Sequence, residues 1–222
     1  MAASANPHLN VEPVLAGVAL EQAGMIGVLV HGRDQDHEVM LDVVERMALP
    51  GVGYVLPVAT GRSWYPGRYF DPVEDNQPDV DWALEAIEAG LSVARAAGVP
   101  GERIVLGGFS QGACMVAELV ARRPPRLAGV AVLTGCLLGP EGGHVTPARV
   151  DELPMYFGSS RHDEWIAIQD ALATARAFAT AGARVALEAY EDRVHEVSDR
   201  AVAGLRGLFS SSAGSTIEPQ AR

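Results

Sequence analysis

Short apolar runs alternate with longer stretches of helical periodicity along the chain. The runs MIGVLV (25–30), GVGYVLP (51–57), RIVLGG (103–108), LAGVAVLT (127–134), PMYFG (154–158) and ARVALEAY (183–190) are rich in Val, Ile, Leu or Tyr. Runs this short and continuous predict strands buried on both faces. Between them, residues 37–48, 79–97, about 112–122, 165–181 and 196–209 repeat apolar positions at helical spacing. In 79–97, for example, Val80, Ala83, Leu84, Ile87, Leu91 and Ala94 share one face. The stretches VERMALPG and RAAGVPG place Gly and Pro where helices should stop. The alternation predicts an α/β fold, a mostly parallel central sheet with helices on both faces. A weakly marked hairpin is expected around residues 11–20. The pattern fits a single domain over 1–209, and the small, polar, aperiodic residues 210–222 predict a flexible tail.

Composition narrows the function classes. At 222 residues the chain can build one sizeable core. Its formal net charge is −11, and no basic stripe of the kind that binds nucleic acid is visible. No apolar run approaches the roughly 18 residues that span a bilayer. The N-terminus MAASANPHLNVEP lacks the basic and apolar regions of a secretory signal. Only Cys114 and Cys136 are present, with no disulfide framework, so a cytoplasmic setting is expected. No metal-ligating motif occurs among the scattered histidines.

In parallel sheets, sites form at the carboxyl ends of strands, and polar residues there carry the candidate chemistry. Gly108-Phe109-Ser110-Gln111-Gly112 fits the G-x-S-x-G pattern, with a strand before it and a helix after it. Such an elbow forces its serine into a strained backbone and leaves no room for a Cβ two residues to either side. The bland alternative is a helix-capping serine. A nucleophilic serine needs a base held by an acid. His195, just after the last apolar run, is the histidine in place to be that base, unless it is a plain surface-loop residue. Asp163, five residues past Gly158, is the candidate acid, with Glu164 as fallback and His162 as a bystander. Asp151 and Glu152 lie at the wrong end of a strand, and Asp192 is too near His195 in sequence.

An oxyanion needs two backbone N–H donors. Gln111 supplies one candidate. The loop after the first strong strand, HGRDQD (31–36), supplies the other at Arg33, although it also reads as a helix-capping loop. Pocket candidates come from TGRSWYPGRYF (60–70), unusually aromatic for this chain: Trp64, Tyr65, Tyr69 and Phe70. Leu137, Leu138 and Trp165 are further candidates. Cys114 reads as an inert core residue.

Taken together, the blocks LVHGR (29–33), SWYPGRYF (63–70), NQPDVDWAL (76–84), RIVLGGFSQGACM (103–115), GSSRHD (158–163) and VHEVS (194–198) occur in the order found in one family. From about Ile26 to Leu208 the chain resembles the phospholipase/carboxylesterase family of α/β-hydrolases, which includes the acyl-protein thioesterases. The resemblance implies an α/β-hydrolase fold without a large lid. It also implies a Ser110–Asp163–His195 triad with Arg33 and Gln111 amides as oxyanion hole, no metal or cofactor, and frequent homodimers. It departs at HGRDQD, charged where small residues are usual, and at EWIAIQ, where bulky Trp165 replaces a usual proline pattern. The expected activity is a serine carboxylesterase acting on small-molecule esters of short to medium chain length. Alternatives are an acyl-thioesterase or lysophospholipase for longer chains and, more remotely, a non-catalytic binding protein on the same scaffold. Dienelactone-hydrolase chemistry generally places cysteine where this chain has Ser110.

Overall fold

The computed structural model describes residues 5–140, 143 and 145–213, with side chains to residue 210. Seven strands form one sheet: β1 (Val14–Gly17), β2 (Met25–Val30), β3 (Val52–Leu56), β4 (Ile104–Phe109), β5 (Gly129–Leu133), β6 (Pro154–Ser160) and β7 (Arg184–Tyr190). Five helices alternate with them: α1 (His37–Met47), α2 (Asp79–Ala96), α3 (Gln111–Arg122), α4 (Ile168–Thr180) and α5 (Asp199–Ala213). All six strands expected from the apolar runs are present, with ends shifted by at most two residues.

The expected N-terminal hairpin does not form. Instead β1 runs antiparallel to β3, pairing Val14 with Leu56 and Gly17 with Gly53. The segment does not fold back on itself but adds to the exposed edge of β3. Helix α5 continues through 210–213, where a tail was expected, and residues 214–222 lie outside the described residues.

The strands stand in the order β1-β3-β2-β4-β5-β6-β7, all parallel except β1. Alternate side chains enter opposite layers. Ile26, Val28 and Val30 of β2 belong to the core layer that also holds residues of α2, α3 and α4, whereas Met25 and Leu29 belong to the layer with α1 and α5. Every residue of β2 and β4 is buried, as expected for central strands covered on both faces. The chain builds outward from β2 to β3, then returns to place β4 on the other side of β2. That reversal opens a crevice at the carboxyl ends of β2 and β4, where doubly wound sheets bind ligands. The loop at 31–36 and the turn at Ser110 leave the sheet there.

Candidate active site

Ser110 joins β4 to α3 with φ 53° and ψ −121°, a conformation that L-residues rarely adopt. Its glycine neighbours permit the turn. A Cβ on Gly108 would sit 2.6 Å from the backbone of Gly112, and one on Gly112 would strike the carbonyl oxygens of Val30 and His31. Two backbone bonds secure the turn: Ser110 N–H donates to Leu133 O (3.0 Å) and Cys114 N–H to Ser110 O (3.0 Å). Strain of this kind costs on the order of 1–3 kcal/mol and persists where the surroundings over-determine it.

The structure brings Ser110, His195 and Asp163 into one hydrogen-bonded line. His195 Nε2 lies 2.8 Å from Ser110 Oγ, and His195 Nδ1 lies 2.7 Å from Asp163 Oδ2. The imidazole packs on Phe109, with ring centroids 4.9 Å apart. The other oxygen of Asp163 accepts the amides of Trp165 and Ile166, each at 2.9 Å. Its side chain is 1% exposed. Burial pushes this carboxyl's pKa up, but the bond from His195, the two amides and the imidazole's charge outweigh it and hold the value below normal. Asp163 is thus an anion oriented at Nδ1, leaving Nε2 to accept from the serine hydroxyl. The competing candidates lie elsewhere. Glu164 is exposed, His162 contacts Glu191 at 3.2 Å, and a carboxylate oxygen of Asp192 is buried with no partner among the described residues.

The oxyanion-loop candidates adjoin the serine. A Cβ on Gly32 would come within 3.1 Å of the Ser110 Cβ. Before it, His31 is buried beside Gly32 O, 2.7 Å from Nδ1, and its Nε2 accepts the Ala59 amide at 3.0 Å. Burial lowers its pKa, in keeping with a neutral, structural imidazole. Among the described residues, neither the Arg33 nor the Gln111 backbone N–H donates to another protein group. Their side chains hold a shared neighbour. The Arg33 guanidinium donates to the carbonyls of Tyr65 (3.0 Å), Pro66 (2.7 Å) and Gly67. Gln111 accepts the Trp64 amide at 2.8 Å and donates to Tyr65 O at 2.7 Å. The Arg33 charge of HGRDQD is therefore spent on the carbonyls of a loop that does not pair them in a helix or strand, whereas Asp36 caps α1.

A cavity of about 290 Å³ opens over the serine, lined among others by Arg33, Tyr65, Arg68, Ser110, Trp165 and His195. Of the aromatic candidates, Tyr65, Tyr69 and Trp165 reach it. Trp64 does not. It is fully buried, and its indole N–H donates to His31 O at 2.8 Å. Phe70 points outward, 46% exposed, with its ring against Tyr69 at 5.1 Å. Leu137 and Leu138 belong to the loop after β5 but are turned into the core, with the Leu137 amide on Thr174 Oγ1 (2.9 Å). In an irregular loop no period tells which side chains face in, which is why Trp64, Phe70, Leu137 and Leu138 read like the residues that do. Of Arg33, Arg62 and Arg68, the cations that could fall at the mouth, Arg33 and Arg68 line it; sequence reasoning missed Asp34, Gly67 and Ile166. Only adjacency to chosen residues could have flagged them. Tyr69 ties the walls together, its hydroxyl donating to Asp170 (2.8 Å) and accepting the Ala167 amide (3.3 Å).

Among the described residues, no group of side chains could hold a metal ion, and no helix is long and apolar enough to cross a membrane. The family described as phospholipase/carboxylesterase matches residues 20–208. The chain is 24% identical over 174 residues to acyl-protein thioesterase 1 of Cryptococcus neoformans, covering 70% of this chain and 71% of that protein. Among solved structures, a phospholipase/carboxylesterase from Dyadobacter fermentans superposes with a TM-score of 0.81 at 24% identity, covering 90% of this chain and 96% of that one. A carboxylesterase from Mesorhizobium loti gives 0.69 at 19% identity, covering 91% and 94%. At these identities the superpositions establish the fold.

Proposed function

The chain belongs to the phospholipase/carboxylesterase family of α/β-hydrolases and is a serine hydrolase; from that premise we propose that it cleaves short- to medium-chain carboxylic esters through Ser110, His195 and Asp163. The observation that carries the reading is the unbroken line from Ser110 Oγ through His195 to the buried Asp163 carboxylate. Ser110 Oγ attacks the ester carbonyl while His195 Nε2 takes its proton, and Asp163 stabilises the imidazolium that forms. The Arg33 and Gln111 amides bind the tetrahedral oxyanion, with the N-terminus of α3 adding its positive end. Collapse breaks the C–O bond, and the leaving alcohol takes the proton from His195. Water, deprotonated by His195, then attacks the acyl-enzyme, and the carboxylic acid departs as Ser110 regains its proton.

The chain-length proposal draws on cavity size. About 290 Å³ falls at the lower end of the roughly 300–1,000 Å³ typical of small-molecule pockets. The thioesterase alternative draws on the name of the Cryptococcus relative. Two measurements test the reading. A fluorophosphonate probe should add once, on Ser110, and not to Ser110→Ala; a wild-type protein that stays unlabelled would favour a binding role. Aryl esters of increasing acyl length, run beside acyl-thioesters, should show kcat/KM falling steeply beyond medium chains. A plateau through long acyl-thioesters would instead favour the thioesterase.

A further inference from the structure

The cavity over Ser110 carries a charge opposite to that of the whole chain. The net charge of the protein is −11, yet the charged side chains lining the cavity are Arg33, Arg68 and Asp34, two cations to one anion. Arg33 has its donors on three carbonyls and neutralises none of its charge against a carboxylate. Arg68 differs. Arg46, Arg122 and Arg123 each hold a carboxylate, whereas the Arg68 guanidinium enters no ion pair or hydrogen bond among the described residues. The nearby Asp71 carboxylate is turned to the Arg68 backbone amide instead (2.6 Å).

What holds Arg68 is two aromatic rings. Its guanidinium carbon lies 5.4 Å from the Phe70 ring centre and 5.5 Å from that of Trp165. The Trp165 ring is itself 6.3 Å from the His195 imidazole. Held by rings rather than by acceptors, the guanidinium keeps its N–H donors available for a planar anion. A positive, partly apolar mouth on an acidic protein concentrates anions at one place while the remaining surface repels them. These rings are residues whose exposure a simple core-packing role leaves unexplained: Trp165 is 50% exposed.

We propose that Arg68 forms a subsite for a carboxylate carried by the substrate, so that the preferred esters bear an acid group on their acyl or alcohol part. The proposal rests on the Ser110 chemistry above and names the substrate class of that same site. Two pairs of esters test it and locate the acid. Monoethyl adipate against ethyl heptanoate puts the charge on the acyl side. The butanoyl ester of 4-hydroxybutanoate against pentyl butanoate puts it on the alcohol side. Hydrolysis is followed by pH-stat with Ser110→Ala as blank.

In at least one pair, wild type should favour the acid-bearing ester by on the order of 10-fold in kcat/KM, as a charge-assisted hydrogen bond supplies. Arg68→Met should bring that ratio down toward one, and Arg68→Lys should keep part of it. Added salt should shrink the wild-type ratio and leave the Arg68→Met ratio flat. A wild-type ratio near one in both pairs, or a ratio unchanged in Arg68→Met, overturns the subsite while the neutral esters still report Ser110 chemistry. Wild type inert on all four esters overturns the ester-hydrolase reading, and the subsite with it.

Discussion

The elbow at Ser110 and the aromatic loop at 60–70 meet at Gln111, but they are held by different kinds of constraint. At the elbow the shape follows from residues two positions away, because Gly108 and Gly112 are pressed against each other and against the end of β2. In the loop it follows from side chains 32 to 47 positions distant, Arg33 and Gln111. Local steric constraint of the first kind is all-or-none, since one methyl group has nowhere to go. Hydrogen bonds spread over several carbonyls fail one at a time. The chemistry of the site therefore rests on an unforgiving turn, and its selectivity on a wall that can be tuned.

The largest expected effect is at the elbow. Ser110→Ala should lower kcat by on the order of 10⁴-fold or more while the protein stays folded. Near-wild-type esterase activity in that variant, measured against a mock purification, would remove the elbow from the chemistry altogether. Next comes a contrast between two glycines. Gly112→Ala places a methyl on backbone oxygens that cannot yield, and should cost about 3 kcal/mol or more of stability. Gly61→Ala in the aromatic loop meets open space and bears only the strain of φ 67°, so about 1 kcal/mol is expected. Urea midpoints measure both, and equal losses would mean that the loop is as unforgiving as the elbow.

A smaller, graded effect is expected at Arg33. Arg33→Met leaves the carbonyls of Tyr65, Pro66 and Gly67 without their shared donor while keeping the backbone N–H that is proposed to bind the oxyanion. Losing charge-assisted bonds of this kind should lower kcat/KM by about 10- to 100-fold. If the guanidinium holds the oxyanion loop and the cavity wall in register, the fall should lie mainly in kcat, and Arg33→Lys should recover part of it. A fall confined to KM would limit Arg33 to the shape of the substrate pocket.

The same division explains what was readable in the chain. Strands buried on both faces announce themselves as continuous apolar runs, so β2 to β6 were visible; β7, an edge strand with mostly exposed or half-buried residues, was legible only through its Val, Leu and Tyr content. The elbow announced itself through glycines that only a close approach requires. His195 and Asp163 were singled out because the carboxyl end of a strand is a rule of topology, and the structure sets them within 2.8 Å of their neighbours in that line. β1 was misread because its partner, β3, is distant in sequence and lends it no local signal. Trp64, Tyr65 and Phe70 were indistinguishable in sequence, yet one is fully buried against His31, one faces the cavity and one faces solvent. Aperiodic backbone carries no code for side-chain direction. Arg33, Arg62 and Arg68 could be named as charges near the mouth, but which of them turn toward the cavity could not be read, for the same reason.

Asp163 is where the two constraints meet, and it supports the smallest of the expected effects. One oxygen serves His195 and the other caps the amides of Trp165 and Ile166 at the cavity rim. Its pKa in the fold lies below the ordinary 3.8, because the His195 bond and the amides outweigh burial. The folded state thus holds this proton less tightly than the unfolded chain, and the carboxylate adds stability that is fully present above the unfolded value. That stability is lost as pH falls through the depressed folded value. Asn at 163 can still accept both amides but carries no charge, so Asp163→Asn isolates the charge. Its urea midpoint should lie below wild type at neutral pH, and the gap should close as pH drops below about 4. A gap that stays constant down to the acid limit would mean that the charge contributes nothing to the rim, and that the amide caps alone hold the loop of Asp163 against the aromatic wall.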